Sequence, residues 1–275
     1  MTADETGVES PISAGLWLIG LGPGDLSMMT EQAVFAAKNC QHRFLEGYTA
    51  TLPLQSEEGL EDLVGDWSRR MRSAVESPAA LLELASKEST ALLIVGDPLQ
   101  ATTHVNLQLQ AVELGIECRV IHGISITMLV TGAIGLQSYR FGRQTTLVYP
   151  YGTHLATSPF DTIRSNRASG LHTLVLLDLD PTGLGENTPT PMTPEIAIDV
   201  LRRSAAKVAS ECTDSEAIES WKIILCSDMG GDSQQIRCGN LEQLSKITEG
   251  RMHCLAIPAM TLHEVEELAL ERWSI

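Results

Sequence analysis

The chain has 275 residues, of which 43% are hydrophobic and 20% charged: enough apolar material to pack one or two domains, and too much for a disordered chain. Asp plus Glu number 35 against 19 Lys plus Arg, a net charge of −16. A field of that sign repels phosphate backbones and anionic lipid, which argues against a general nucleic-acid or membrane-surface binder.

From the N-terminus, residues 1–15 read as a flexible tail. Leu16-Trp17-Leu18-Ile19 is a short apolar strand ending in Gly20-Leu21-Gly22-Pro23-Gly24-Asp25. Thr30 is placed to cap a helix over Glu31 to Asn39, and His42 to Glu46 reads as a second strand. The stretches 57–62 and Asp66 to Glu76 alternate at helical spacing, and Pro78 to Lys87 reads as a helix with proline in its first turn. Ala91 to Val95 is a continuous apolar strand that breaks at Gly96-Asp97-Pro98. A helix is expected over Thr103 to Leu114, stopped by Gly115, then a strand over Cys118 to Ile121 and a helix over Ser125 to Ile134.

A second series follows, with strands expected over Thr145 to Tyr149, Leu171 to Leu179, Lys222 to Cys226 and Cys254 to Ile257. The helices between and after them are expected over Pro159 to Ala168, Glu195 to Arg203, Leu241 to Ile247 and Leu262 to Trp273. Strands that alternate with helices and exit into glycine loops predict α/β layers on largely parallel sheets. The domain boundary is expected near 141–144, giving a tail at 1–15 and domains at 16–142 and 143–275.

No apolar run reaches the ~18–20 residues of a membrane helix, and the acidic Met1–Pro11 segment is unlike a secretory leader. Cys40, Cys118, Cys212, Cys226, Cys238 and Cys254 are scattered without a C-x-x-C pair, which points to free thiols in a reducing cytosol. Most of the basic residues are Arg, a usage that suits either a salty cytosol or a plain solvated acidic surface. No nucleophile triad, P-loop or metal spacing occurs, and His154, His172, His253 and His263 stand apart, so no metal is expected.

Chemistry in an open α/β sheet collects at the carboxyl ends of strands. The loops there with unusual content are Gly20–Asp25, Gly96–Thr103, His122–Ser125 and Asp178–Pro181. The G-x-G-x-G turn lets a ligand approach bare backbone, or is simply a tight turn; its spacing is not that of a dinucleotide fold. Glu46 stands where a ribose-binding acid would, which keeps a nicotinamide-dependent dehydrogenase open. Asp97 at a strand tip accepts either from a ribose or amine, or from its own turn. His104 reads as structural, and Arg69, Arg70 and Arg72 as either a solvated helix face or a contact for a partner.

Several segments taken together resemble the diphthine synthases, members of the tetrapyrrole-methylase-like (class III) S-adenosylmethionine-dependent methyltransferases. They are Ile19 to Asp25, Leu45-Glu46-Gly47-Tyr48-Thr49, Val95 to Pro98 with Ala101-Thr102-Thr103-His104, and Val120-Ile121-His122 with Ser125-Ile126. Tyr139-Arg140-Phe141-Gly142, Asn166-Arg167, Gly170 to Leu174 and Leu176-Leu177-Asp178 continue the match, which spans roughly residues 16–273.

The resemblance implies two α/β domains with S-adenosylmethionine in the cleft between them, S-adenosylhomocysteine as product, and a homodimer. It implies elongation factor 2 as protein substrate: a histidine carrying a 3-amino-3-carboxypropyl group is methylated repeatedly on its amino nitrogen on the way to diphthamide. Archaeal-type members add three methyls, and eukaryotic members a further one on a carboxylate. The cofactor contacts it implies are Pro23, Asp97, Gln100, Ser125, Ile126, Leu177, Met229 and His253. It carries over no catalytic base. Pro23 stands where diphthine synthases usually have Leu, Gln100 replaces a smaller residue, and Asp228 stands in place of an Arg. Competing readings are a precorrin or other tetrapyrrole methylase, supported by Pro23, and a non-catalytic nucleotide-binding protein of the same fold.

Overall fold

The computed structural model describes residues 12–211 and 217–275, so the expected tail falls outside the described residues up to residue 11. From Gly15 the chain is already in a strand. The chain divides into two compact units. One runs through Ser125 and also takes in Gly185–Thr188; the other comprises Ile126–Leu184 and Pro189–Ile275.

The first unit holds strands β1 (Gly15–Gly20), β2 (His42–Glu46), β3 (Ser68–Arg70), β4 (Ser89–Ile94) and β5 (Cys118–Ile121). They form one sheet in the order β3-β2-β4-β1-β5, with every pairing parallel. β1 and the Ala91–Ile94 part of β4 are apolar and buried because both faces of the sheet are covered. Along β1 the side chains alternate: Trp17 and Ile19 join Ala33, Ala37 and Leu60 on one face, whereas Leu16 and Leu18 join Leu82 and Leu107 on the other. Thr30 caps the Glu31–Asn39 helix through a bond from Ala33 N of 3.0 Å, as its sequence position predicts.

Two expectations fail here. Asp66 to Glu76 is not one helix: Ser68–Arg70 is an edge strand, and only Arg72–Glu76 is helical. Parallel pairing with β2, with the Arg70 guanidinium 4.1 Å from the Phe44 ring centre, overrides the helical period. The basic cluster is therefore not a helix face. The boundary also falls earlier than 141–144, because the Ile126–Ala133 helix packs with the second unit. Val130, Ile134 and Leu136 are buried there among Leu174, Ile224, Cys226 and Leu270.

The second unit holds β6 (Thr145–Leu147), β7 (Thr173–Leu177), β8 (Ile223–Ser227), β9 (Gln235–Gly239) and β10 (His253–Ile257), ordered β6-β7-β10-β8-β9. Only β6 and β7 run parallel; β10 pairs antiparallel with both β7 and β8, and β8 antiparallel with β9. The expectation of largely parallel sheets holds for the first unit and is corrected for this one. β9 is not among the strands expected from the sequence, and the pairing with β8 makes it one. The helix expected over Glu195 to Arg203 runs further, Pro194–Glu211. No helix among the described residues is long and apolar enough to cross a membrane.

Two buried arrangements hold these units internally. In the second, the fully buried Glu266 accepts from the amides of Gln137 and His263, both at 2.9 Å, from His172 Nε2 at 2.9 Å, and from the Arg140 guanidinium. Burial pushes this carboxyl up, but the two amides and His172 outweigh it and hold it below its ordinary value. His172 Nδ1 accepts from Ala259 N at 3.0 Å, which fixes a neutral imidazole donating to Glu266.

In the first unit, glycines crowd the exits of β1, β4 and β5. Gly22 and Gly96 exchange backbone bonds of 3.1 and 2.8 Å. A Cβ on Gly20 would stand 2.5 Å from Gly123 N and 2.7 Å from Gly96 O, and one on Gly123 would stand closer still to Gly96 O.

Glu266→Gln should cost about 3 kcal/mol at neutral pH, as breaking a buried ion pair does. The deficit should narrow as pH falls through the lowered value of the Glu266 carboxyl, where the wild-type carboxylate itself protonates; denaturant melts across pH measure both. Gly123→Ala should cost about 1–3 kcal/mol through overpacking at the exits, read as a lower denaturant midpoint.

Candidate functional site

Each loop that the sequence singles out in the first unit leaves the carboxyl end of a strand. Gly22-Pro23-Gly24 turns after β1, with Gly22 at φ +78° and Pro23 half-buried. Asp97 follows β4 and is buried, and Gln100 beyond it is exposed. Ser125, after β5, is buried, and Ile126 opens the first helix of the second unit.

The Asp97 carboxylate is already engaged. Oδ1 accepts from Leu99 N at 2.9 Å; Oδ2 accepts from His122 Nδ1 at 2.8 Å and from Gly123 N at 3.3 Å. Turn cap and ligand acceptor, weighed as alternatives in the sequence, are thus not exclusive, since one oxygen holds the turn and the other faces the β5 exit. The bond to His122 crosses over β1, which lies between β4 and β5. It can do so because Gly20 presents no side chain there. The sequence marks the His122–Ser125 loop but gives His122 no role. Its signal was position: it immediately follows β5, at the same sheet edge as Asp97.

The remaining polar residues of this edge turn inward. Glu46 is buried and spends its oxygens on its own loop, accepting from Thr49 Oγ1 at 2.6 Å and from the amides of Thr49 and Tyr48 at 3.0 and 3.3 Å. Burial pushes its pKa up to about 7. It is no free ribose acceptor, which removes the support for a dinucleotide reading. His104 is buried, held below the ordinary imidazole value by burial, with Nδ1 3.0 Å from Pro98 O; it is structural, as expected. Thr103 occupies the cap position of the His104–Glu113 helix without capping it through its side chain, and Thr102 turns back to donate to Pro98 O at 2.6 Å.

In the second unit the strand register brings Leu177, Met229 and His253 to one end of the sheet. Leu177 ends β7, His253 begins the antiparallel β10, and His253 pairs with Ser227 at the end of β8, two residues before Met229. His253 Nδ1 lies 2.8 Å from Ser227 Oγ, and burial holds its pKa below the ordinary imidazole value despite Asp228 nearby. Asp228 has φ +47°, a conformation that Asp tolerates better than most residues. Its carboxylate accepts from Met252 N at 2.8 Å and Arg251 N at 3.0 Å, so it braces the turn into β10. The Arg absent at this position is replaced by a residue with a structural task of its own. Met229 and His253 carry no signal visible from composition or periodicity, since only antiparallel pairing makes them neighbours.

Backbone free of side chains, a buried carboxylate and an exposed imidazole at the edge of a parallel sheet suit a small ligand with ribose and amine groups. The sequence profile of the tetrapyrrole (corrin/porphyrin) methylases matches residues 15–245. A diphthine synthase of Methanocella arvoryzae is 34% identical over 260 residues, covering 93% of this chain and 96% of that one. The human diphthine methyl ester synthase is 34% identical over 276 residues, covering 94% and 95%. A crystal structure of a diphthine synthase superposes with a TM-score of 0.81 at 31% identity, covering 94% of this chain and 95% of that one. The chain belongs to the tetrapyrrole methylase family and, within it, to the diphthine synthases.

Proposed function

We infer that the protein transfers methyl groups from S-adenosylmethionine to the amino nitrogen of the 3-amino-3-carboxypropyl histidine of elongation factor 2, repeatedly, in diphthamide biosynthesis. What carries this reading is that archaeal and eukaryotic enzymes of this step match along almost the whole chain at the same 34% identity. The family resemblance further supports a homodimer working in the cytoplasm.

The residues present fit the cofactor. At Gly96, φ +83°, an added Cβ would meet nothing within 4 Å, so the chain leaves an open cradle beside Asp97. Pro23, Asp97, Gln100, Ser125, Ile126, Leu177, Met229 and His253 are proposed as the residues that contact it. When bound, S-adenosylmethionine supplies a methyl group activated on a sulfonium. This chain's part is to bind, to orient, and to present an unprotonated amine; orientation alone supplies up to about 7–11 kcal/mol in favourable systems. Pro23 supports a second reading, a tetrapyrrole methyltransferase, because a proline in this turn is more usual there.

Labelled S-adenosylmethionine offered with elongation factor 2 separates the readings. Label is expected on factor bearing the aminocarboxypropyl histidine and not on unmodified factor, and mass spectrometry of the product counts the methyls. Cofactor binding without label on either would favour the tetrapyrrole reading; no binding would leave a fold without its chemistry. Asp97→Ala removes the acceptor for the Leu99 and Gly123 amides and should weaken cofactor binding about tenfold or more by calorimetry. Unchanged affinity would remove Asp97 from the site.

A further inference from the structure

We propose that His122, oriented by Asp97, is the catalytic base that takes a proton from the substrate ammonium before each methyl transfer. The assignment rests on the function proposed above and adds the proton acceptor that the family resemblance leaves unnamed.

The first observation is geometric. An ionised carboxylate only accepts, so the 2.8 Å contact with Asp97 Oδ2 places the proton on His122 Nδ1 and the lone pair on Nε2. Asp97 is 5% exposed and held by the Leu99 and Gly123 amides, so it cannot turn away from the ring. A base with a fixed tautomer, positioned by a third group, is the arrangement that general-base catalysis uses.

The second observation is exposure. The His122 side chain is 70% exposed, and among the described residues Nε2 makes no hydrogen bond. Asp97 is the one charged side chain within ion-pair distance of it among the described residues. Repeated N-methylation sets a requirement that a single transfer does not. Ammonium, methylammonium and dimethylammonium must each lose one proton before the nitrogen has a lone pair to donate. In each round the N–H proton passes to His122 Nε2. The nitrogen pair then forms the bond to the methyl carbon as the carbon–sulfur pair withdraws onto sulfur. The imidazolium gives its proton to water before the next round. An exposed imidazole resets in this way, whereas a buried acid such as Glu46, its oxygens bound within its own loop, has no route to solvent. The third methylation gives a quaternary nitrogen with no proton left, and this cycle ends there.

The test uses full-length protein and elongation factor 2 bearing the aminocarboxypropyl histidine. His122→Ala should lower the single-turnover rate about 100-fold, within the usual range for losing a general base. Its affinity for S-adenosylmethionine by calorimetry should stay within about twofold of wild type, a tenfold change being 1.4 kcal/mol. Added imidazole should restore at least a tenth of the lost rate, more at higher pH, which a purely structural role would not allow. Asp97→Asn, which keeps the shape but not the fixed tautomer, should also slow the transfer and gain nothing from imidazole. An unchanged rate in His122→Ala overturns the assignment, as does a loss that imidazole does not restore and that a matching loss of cofactor affinity accompanies. Wild-type protein that moves no label to the modified factor overturns the functional reading, and the role of His122 with it.

Discussion

The first unit depends on one steric constraint, that the chain leaving β1, β4 and β5 must pass within backbone contact. A Cβ on Gly20 would stand 2.7 Å from the Gly96 carbonyl oxygen and one on Gly123 closer still, so neither position tolerates a side chain. Parallel strands fan apart under their natural twist, so adjacent exits ordinarily leave room for side chains between them. Here the exits are drawn together, and the reciprocal bonds between Gly22 and Gly96 close the arrangement. Bare amides and carbonyls are left at the sheet edge, on which a ligand can rest. The same absence of side chains lets Asp97 reach past β1 to His122.

A buried carboxylate organises each unit, and the two do different work. Glu266 in the second unit is saturated by two amides, an imidazole and a guanidinium, so it is a structural anchor with nothing left to offer a ligand. Asp97 in the first is also buried, but one of its partners is a side chain that is largely in solvent. A buried anion satisfied by fixed donors stabilises; one satisfied through an exposed imidazole couples the interior to whatever binds outside. The many surface ion pairs, such as Lys87–Glu83 and Lys246–Glu242, add little beside these.

The strongly periodic parts of the fold were legible. β1 and the Ala91–Ile94 part of β4 are continuous apolar runs because the parallel sheet is covered on both faces, and Thr30 and Gly115 mark helix ends by local chemistry. Ser68–Arg70 and Gln235–Gly239 were not legible, since each is a strand by virtue of the edge it pairs with. The Ile126–Ala133 helix is equally apolar wherever it packs, so its membership of the second unit could not be read from its residues. Of the site, Asp97 and the glycine turn stood out from local geometry, while Met229 and His253 were reached through family resemblance alone.

The sequence by itself determined where chain direction must break and what is left at the breaks: glycines without side chains and a carboxylate before Pro98. Those features follow from dihedral sterics and from proline's missing N–H, which act over a few residues. The tertiary structure decided which of the breaks meet. Asp97 and His122 are 25 positions apart and become partners only because β4 and β5 flank β1. Likewise His253 stands beside Ser227 only because β10 runs antiparallel to β8. Strand order and direction come from packing summed over the whole sheet, and no single segment carries that sum.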